Sequence, residues 1–327
     1  MSSHHRISIA TRGSALALAQ ANWVKGRCES LFPDMAFELL ILKTTGDKLQ
    51  AFAPETPLPP NSKGLFTKEL ESALLAGEAS IAVHSLKDLP TELPHGLMLA
   101  AVSPREDVRD VLIYRCLAAA KNLGGRGYAA GSTARMLHPE AVIATSSTRR
   151  AAQLRLINPG TRCVPIRGNV GTRLEKLLRQ TELDGMVLAC AGLARLKMTI
   201  TAEGKLTGES VPDGLLATVL PMEEMLPCVG QAAIGLQTRT GDAAALRVCR
   251  ALNDDATEAC VTAERAFLAA MGGGCLSPVA ACATLKGGLL QLRAASFVGP
   301  SPVRGELSGA PAEALAIGQA LASRLKA

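Results

Sequence analysis

The sequence predicts an α/β protein in which parallel sheets carry helices on both faces, followed by a smaller α+β domain. Across the first two-thirds of the 327 residues, short apolar runs alternate with polar turns and helical patterns, an order typical of parallel α/β sheets. From about residue 255 the chain changes to an Ala-rich helix, a Gly cluster and short strands. The length is enough for two or three domains, and the 48% hydrophobic content excludes global disorder.

The individual elements follow from the apolar runs and from the turns that end them. Gly77 is predicted to end the helix at 67–76, because glycine tolerates the left-handed backbone conformation that ends many helices. The predicted strands are 7–10, 38–42, 81–83, 141–144, 163–166 and 186–189. The predicted helices are 15–31, 67–76, 151–157, 170–179 and 190–196. The Pro-rich segment 53–60 predicts a loop, and the Gly- and Ala-rich segment 122–133 predicts a surface insertion.

Composition disfavours several classes of protein. No apolar run approaches the ~20 residues that span a bilayer, and the N-terminus lacks the apolar core of a targeting peptide. Aromatic residues are only 3% of the chain, which argues against stacking on single-stranded nucleic acid. The nine cysteines have irregular spacings with no CxxC, which disfavours zinc and disulfides. We therefore expect a cytoplasmic monomer with a small-molecule substrate, no metal and no membrane or nucleic-acid partner.

Positive charge is concentrated in one stretch of the chain. Residues 145–176 hold six Arg and one Lys against one Glu, a local net charge of +6 that equals the excess of the whole chain. Several of the basic side chains follow apolar strands, at turns that converge on the ligand crevice of a doubly wound sheet. These arginines are Arg12, Arg149, Arg150, Arg167 and Arg195, and the neighbouring hydroxyl donors are Ser14, Ser146, Ser147 and Thr172.

This placement predicts a site for a polyanionic ligand. Arginine binds carboxylate or phosphate with two parallel hydrogen bonds, and helix N-termini add free N–H groups. A solvated basic face is the alternative, but it would put the charges on helix exteriors. DNA is a further alternative, which no recognition-helix motif supports.

The segment 84–90 (HSLKDLP), directly after the strand at 81–83, contains a candidate catalytic carboxylate. Asp88 at a strand end, opposite many arginines, stays ionised and is suited to stabilising a cation or moving protons. A structural ion pair with Lys87 is the alternative.

The segment 271–278 (MGGGCLSP) contains a candidate nucleophile. Three glycines before Cys275 predict an exposed loop where a bulky group can approach the sulfur, so a covalent role is open to it. Most free cysteines are buried packing residues instead, and this is the reading for the other eight.

Together these segments resemble the porphobilinogen deaminase family, also called hydroxymethylbilane synthases. Any one match is modest, but ten in the same order extend over nearly the whole chain. The matching segments are 11–14 (TRGS), 63–69 (KGLFTKE), 81–88 (IAVHSLKD), 105–107 (RED), 145–150 (TSSTRR), 167–173 (RGNVGTR), 191–195 (AGLAR), 229–231 (VGQ), 261–266 (VTAERA) and 273–278 (GGCLSP).

The resemblance implies three domains, of which the first two are similar to the α/β lobes of periplasmic binding proteins and the third is a small C-terminal α+β domain. Domain 1 would comprise 1–104 and 232–251, domain 2 would comprise 109–227, and domain 3 would comprise 255–327. It also implies the reaction: four porphobilinogen molecules are joined head to tail with loss of ammonia, and water frees the linear hydroxymethylbilane. The growing chain is anchored to a dipyrromethane cofactor, itself made from the substrate and held through a cysteine thioether.

The resemblance further implies residue roles. Cys275 would hold the dipyrromethane, and Asp88 would be the catalytic carboxylate. The cofactor-binding residues would be Lys87, Ser147, Arg149, Arg150, Gly168 and Arg173. The substrate-binding residues would be Arg12, Ser14, Arg167 and Arg195. Lys63 and Phe66 would belong to an active-site loop, although ordinary packing is the alternative for Phe66.

The chain also departs from the family pattern. Ala232 replaces a usual Gly after Gln231, Val108 replaces a usual Pro, and about fifteen extra residues lie between Val111 and Ala141 relative to typical bacterial members. None of these changes removes a proposed ligand. The rival hypotheses are a non-catalytic two-lobed protein that binds a polycarboxylate and a paralogue that folds but has lost turnover.

Overall fold

The computed structural model describes residues 6–47, 64–274, 277–299 and 301–326. Its strands are β1 (Arg6–Arg12), β2 (Ala36–Leu42), β3 (Ile81–Ser85), β4 (Leu97–Val102), β5 (Asp110–Arg115), β6 (Val142–Ala144), β7 (Arg162–Val164), β8 (Gly185–Ala189), β9 (Thr199–Ile200), β10 (Leu206–Thr207), β11 (Leu215–Val219), β12 (Ile234–Arg239), β13 (Val279–Lys286), β14 (Leu289–Ser296) and β15 (Val303–Gly309). Its helices are α1 (Ala15–Leu31), α2 (Lys68–Leu75), α3 (Leu117–Leu123), α4 (Thr148–Ile157), α5 (Val170–Arg179), α6 (Cys190–Arg195), α7 (Ala243–Leu252), α8 (Asp255–Ala270) and α9 (Ala314–Lys326).

The first lobe is built on a five-stranded sheet of order β2-β1-β3-β12-β4. Strand β1 runs parallel to β2 and β3, whereas β12 is antiparallel to both β3 and β4. Apolar side chains of β1 and β3 pack with those of α1 and α7 in one continuous core, which includes Ile9, Val24, Ile81 and Val248. The chain thus leaves this lobe after β4 and returns to its sheet with β12.

The second lobe repeats this plan with the sheet order β11-β5-β8-β6-β7. Strand β6 is parallel to β7 and β8, and β5 is antiparallel to β8 and β11. All residues of β5 and β8 are buried, as expected for strands covered on both faces. The described residues of this lobe contain two large apolar clusters. Helix α5 contributes Leu174 and Leu177 to one of them, and α4 contributes Leu154 to the other.

The C-terminal domain is α+β. Strands β13, β14 and β15 form an antiparallel sheet, and helices α8 and α9 cover it through a core that includes Phe267, Leu292 and Leu321. Gly318 of α9 makes this packing possible, because a Cβ there would lie 2.2 Å from the carbonyl oxygen of Ala263 in α8.

The predicted fold class is therefore confirmed, while the prediction of parallel sheets is wrong in part. Both large sheets are mixed, because each contains two strands that pair only antiparallel with their neighbours. These four strands, β4, β5, β11 and β12, were not predicted. The helix at 170–179 has the predicted bounds. Gly77 follows the second helix with a φ of +76°, as its role as a stop requires. The loop predicted at 53–60 lies outside the described residues.

Most residues of the segment 122–133 are exposed, as predicted for a surface insertion, but the segment also packs onto the second lobe. Tyr128 packs edge-to-face on Tyr114 of β5, with ring centroids 6.0 Å apart, and its hydroxyl donates to Asp184 over 2.7 Å. Gly125 packs against the backbone of Thr181, because a Cβ at this position would lie 2.4 Å from the Thr181 carbonyl oxygen. The segment is thus part of the second lobe's packing. Within the described residues, no helix has the length and apolarity required to cross a bilayer.

Candidate active site

Asp88 lies at the end of a central strand of the first lobe. Strand β3 ends at Ser85, and a 3₁₀ turn over Leu86–Asp88 follows. Leu86 and Leu89 are buried and the Leu89 N–H donates to the Leu86 carbonyl over 3.1 Å, so Lys87 and Asp88 between them are half-buried at the surface of the crevice. Asp88 therefore lies at the end of β3 with its carboxylate partly accessible.

On the second lobe, Arg149 and Arg150 share a single buried carboxylate. Ser147 caps α4 by accepting from the Arg150 N–H, which directs both arginines into the lobe. Arg149 Nη2 donates to Asp110 Oδ2 over 2.8 Å and Arg150 Nη2 to Asp110 Oδ1 over 2.7 Å. The remaining Nη1 groups donate to the carbonyls of Leu226 and Val187. Two guanidinium groups thus share one carboxylate, so these three side chains together keep an excess positive charge.

Burial would raise the pKa of the Asp110 carboxyl, but Arg149 and Arg150 outweigh it and lower the pKa to about 2. The Nε atoms of both arginines are buried without a hydrogen-bond partner in the described residues. Unpartnered buried donors are rare and need an explanation. They fit a site completed by an anionic group, which is what a dipyrromethane with its carboxylates would supply.

Gly168 and Arg173 lie at the N-terminus of α5, with Asn169 as the N-cap residue. Gly168 has a φ of +115°, a conformation that favours glycine, and its carbonyl accepts from Arg173 Nε over 2.8 Å. Burial lowers the pKa of Arg173, the charge of Arg150 lowers it further and the charge of Asp88 raises it. The charges of both Arg150 and Asp88 therefore act on Arg173, so the predicted cofactor-binding arginines and the predicted catalytic carboxylate share one electrostatic environment.

Arg12 and Ser14 lie where β1 passes into α1. Ser14 caps α1 by accepting from the Ala17 N–H. The Arg12 guanidinium lies 4.1 Å from the centre of the Phe66 ring and is paired with Asp47, with 3.3 Å from Nε to Oδ2. Burial would raise the pKa of Asp47, but hydrogen bonds from Arg12 and Thr44 lower it overall. Phe66 thus contacts a predicted substrate-binding arginine.

Arg167 and Arg195 complete the predicted substrate set from the second lobe. Arg167 is half-buried before α5, and Arg195 is the last residue of α6. Arg195 Nη2 donates to the Ala232 carbonyl over 2.6 Å. Burial lowers the pKa of Arg195, and Glu106 raises it. The predicted substrate residues therefore come from both lobes.

Two predicted site residues, Cys275 and Lys63, lie outside the described residues. Before Cys275, helix α8 ends at Ala270, and Gly272 follows with a φ of +69°. Gly274, which precedes the cysteine, and Ser277, which follows it, are connected by a hydrogen bond from the Gly274 N–H to Ser277 Oγ over 3.0 Å.

The other eight cysteines are free thiols, and the expectation that they are packing residues holds for four of them. Cys28, Cys249, Cys260 and Cys282 are buried, whereas Cys116, Cys163, Cys190 and Cys228 are only partly buried. The described residues contain no cluster of His, Cys, Asp or Glu suited to a metal ion.

Sequence reasoning missed Asp110 and Gln231 as parts of the site. Gln231 Nε2 donates to Asp110 Oδ1 over 3.0 Å. This hydrogen bond connects the segment in which the chain returns to the first lobe with the carboxylate that binds Arg149 and Arg150. A single acidic residue at the start of the apolar run 111–114 was the available signal, because a buried carboxylate requires a charged partner.

The chain matches known proteins over nearly its whole length. Residues 7–247 match the family model described as porphobilinogen deaminase, dipyromethane cofactor binding domain, and residues 258–327 match the porphobilinogen deaminase C-terminal domain. A porphobilinogen deaminase from Syntrophomonas wolfei is 41% identical over 98% of this chain and 94% of its own length. One from Syntrophus aciditrophicus is 42% identical over the same shares.

Among solved structures, the periplasmic domain of BvgS from B. pertussis aligns with a TM-score of 0.39 and 16% identity, covering 77% of this chain and 40% of that one. Two family models together span nearly the whole sequence, and relatives more than 40% identical match it over almost their full length. The chain therefore belongs to the porphobilinogen deaminase family.

Proposed function

We propose that the chain is a transferase that condenses four porphobilinogen molecules head to tail, releasing ammonia at each condensation and using water to free linear hydroxymethylbilane. The observation that carries this proposal is Asp88, a half-buried carboxylate whose charge acts on Arg173. A carboxylate in the same electrostatic environment as a group of arginines suits a reaction through a cationic intermediate on polycarboxylate substrates.

The residues present fit a dipyrromethane cofactor, which the family's first domain binds. The residues that would hold its carboxylates are Lys87, Ser147, Arg149, Arg150, Gly168 and Arg173, and its thioether would be to Cys275. When bound, this group supplies the ring carbon to which the first substrate is joined. The unpartnered Nε atoms of Arg149 and Arg150 support this assignment, because an anion would satisfy them.

Substrate would be held by arginines from both lobes. Arg12 and Ser14 on the first lobe and Arg167 and Arg195 on the second would bind the acetate and propionate groups, which suit the paired donors of a guanidinium. Asp88 would stabilise the positive charge that develops on the substrate ring as ammonia leaves, and would accept and return protons at the pyrrole nitrogen. Lys63 and Phe66 would form the active-site loop, with Phe66 against Arg12.

The domain division at 1–104 with 232–251, 109–227 and 255–327 is part of the proposal, and the return of β12 to the first sheet supports it. A monomer in the cytoplasm, with no nucleic-acid or membrane partner, remains our expectation.

The deciding experiment is the intact mass of the purified protein beside its Cys275→Ala variant. We expect the wild type to carry the excess mass of one dipyrromethane and the variant to lack it. Incubation with porphobilinogen then separates the remaining outcomes. A mass that rises in pyrrole-sized steps supports the enzyme, and an unchanged mass in both proteins would indicate a polycarboxylate-binding protein instead.

A further inference from the structure

Helix α8 of the C-terminal domain packs directly against the turn that carries Asp88. Val261 on this helix is buried in one cluster with Leu86 and Leu89, which flank Lys87 and Asp88. The two apolar residues around the carboxylate are thus held by a helix from a different domain.

Arg265, one turn further along α8, binds the backbone just after Asp88. Its Nη1 donates to the Leu89 carbonyl over 3.1 Å, and its Nη2 donates to the carbonyls of Pro90 and Thr91 over 2.7 Å and 3.3 Å. Three consecutive carbonyls therefore converge on one guanidinium. Because a guanidinium is planar and its donors are fixed relative to one another, it defines the path of residues 89–91 more closely than a single hydrogen bond does.

The preceding residue, Glu264, binds Gly230, which packs against the other side of the same turn. It is fully buried, and its Oε2 accepts from the Gly230 N–H over 2.8 Å. Gly230, with a φ of +69°, lies so close that a Cβ there would be 3.2 Å from the Lys87 nitrogen. Arg265 thus binds the backbone after Asp88 directly, and Glu264 binds Gly230, which packs against the backbone before it.

The same helix also leads to the cofactor cysteine. It ends at Ala270, and residues 271–274 (MGGG) separate it from Cys275. One helix thus contacts the backbone just after Asp88 and precedes the predicted anchor of the growing chain in the sequence.

We propose that Arg265 is a positioning residue for the catalytic reaction: by binding the carbonyls of Leu89, Pro90 and Thr91 it holds Asp88 at the place that the cofactor-bearing domain requires. This inference rests on the proposed function. A displacement of about 1 Å in an active site costs about 100-fold in rate, so loss of the three hydrogen bonds is expected to lower kcat by about 10- to 100-fold while leaving substrate binding nearly unchanged.

The test compares Arg265→Gln, Arg265→Lys, Asp88→Asn and the double variant Asp88→Asn/Arg265→Gln with the wild type, each isolated with its cofactor. Arg239→Gln is the matched control, because Arg239 also donates to backbone carbonyls, those of Leu74 and Ala79, but does so in the first lobe away from Asp88. Measurements are kcat and KM for porphobilinogen, cofactor loading by intact mass, and hydrogen exchange of residues 86–91 by mass spectrometry.

We expect Arg265→Gln to keep its cofactor mass and a KM within about twofold, to lose kcat by about 10- to 100-fold, and to exchange faster at 86–91. Arg265→Lys, which keeps the charge and part of the hydrogen bonding, should fall between it and the wild type. In the Asp88→Asn background the Arg265→Gln change should have little further effect, since it acts through Asp88.

The inference is overturned if Arg265→Gln lowers kcat by the same factor with and without Asp88, if kcat falls no more than in Arg239→Gln, or if exchange at 86–91 is unchanged. Should Arg265→Gln fail to fold, the same three criteria apply to Arg265→Lys. Failure of the proposed function gives a different result, because the wild type would then not convert porphobilinogen, which is seen before any variant is compared. Hydrogen exchange at 86–91 would still test the contact of Arg265 with this segment.

Discussion

Arg195 of the second lobe donates a 2.6 Å hydrogen bond to the carbonyl of Ala232, at the point where the chain returns to the first lobe. Ala232 has a φ of +73°, in the left-handed region that costs a residue with a Cβ about 1–2 kcal/mol. A predicted substrate-binding arginine is therefore held by a strained position between the lobes.

Replacement of Ala232 by Gly is expected to stabilise the protein by about 1 kcal/mol, because glycine relieves the left-handed strain although it adds entropy to the unfolded chain. Urea unfolding measures the difference. The control is Ala320→Gly on the exposed face of α9, where the same exchange should destabilise by about 1 kcal/mol. Equal losses at both positions would contradict the strain at Ala232.

Asp110→Asn should destabilise the protein by about 3–5 kcal/mol, because it leaves two buried guanidinium groups without a charged partner. It should also lower the fraction of protein that carries the dipyrromethane, since Arg149 and Arg150 lose the carboxylate that orients them. Thermal unfolding and intact mass measure the two effects. In the control, Asp107→Asn, the ion pair to Arg109 is exposed, and less than about 1 kcal/mol should be lost.

His84→Asn should remove a component of acid sensitivity. Burial lowers the pKa of His84 to about 4, with the Gln237 hydrogen bond opposing this shift and the charge of Arg12 adding to it. The folded state therefore keeps His84 neutral while the unfolded state binds a proton below about pH 6.5. The folded protein loses stability as pH falls from about 6.5 towards 4, by about 2 kcal/mol at pH 5.

Urea unfolding at pH 7.5 and pH 5 tests this pH dependence. The loss of stability on acidification should be smaller in His84→Asn than in the wild type by about 2 kcal/mol. His95→Asn is the control, because His95 is exposed. The same loss in His84→Asn as in the wild type would show that His84 does not carry the effect.

Asp88→Asn should keep the fold and the cofactor mass and lose most turnover, because the amide cannot stabilise a developing positive charge as a carboxylate does. Steady-state rates with porphobilinogen and the intact mass provide the measurement. Asp213→Asn is the control, since the Asp213 side chain is 95% exposed and its loss should leave the rate unchanged. Turnover near the wild-type rate in Asp88→Asn would remove this residue from the mechanism.

The local sequence was sufficient for features that depend on neighbouring residues. The alternation of apolar runs and helical patterns predicted β1, β3, β6 and β8, and Gly77 and Ser147 lie where helix ends need them. The placement of Arg149, Arg150 and Arg167 just after apolar strands predicted an anion site. These signals are readable because backbone conformation and capping are set within a few residues of the chain.

Contacts between distant segments required the tertiary structure. Strand β12 inserts between β3 and β4, and nothing in its apolar run reveals an antiparallel partner 150 residues earlier. Asp110 binds arginines 39 and 40 residues away, and Arg265 binds carbonyls at least 174 residues away. Such pairs form because packing of the three domains brings these groups together and buries them, and a buried charge or carbonyl then requires a partner wherever the fold supplies one.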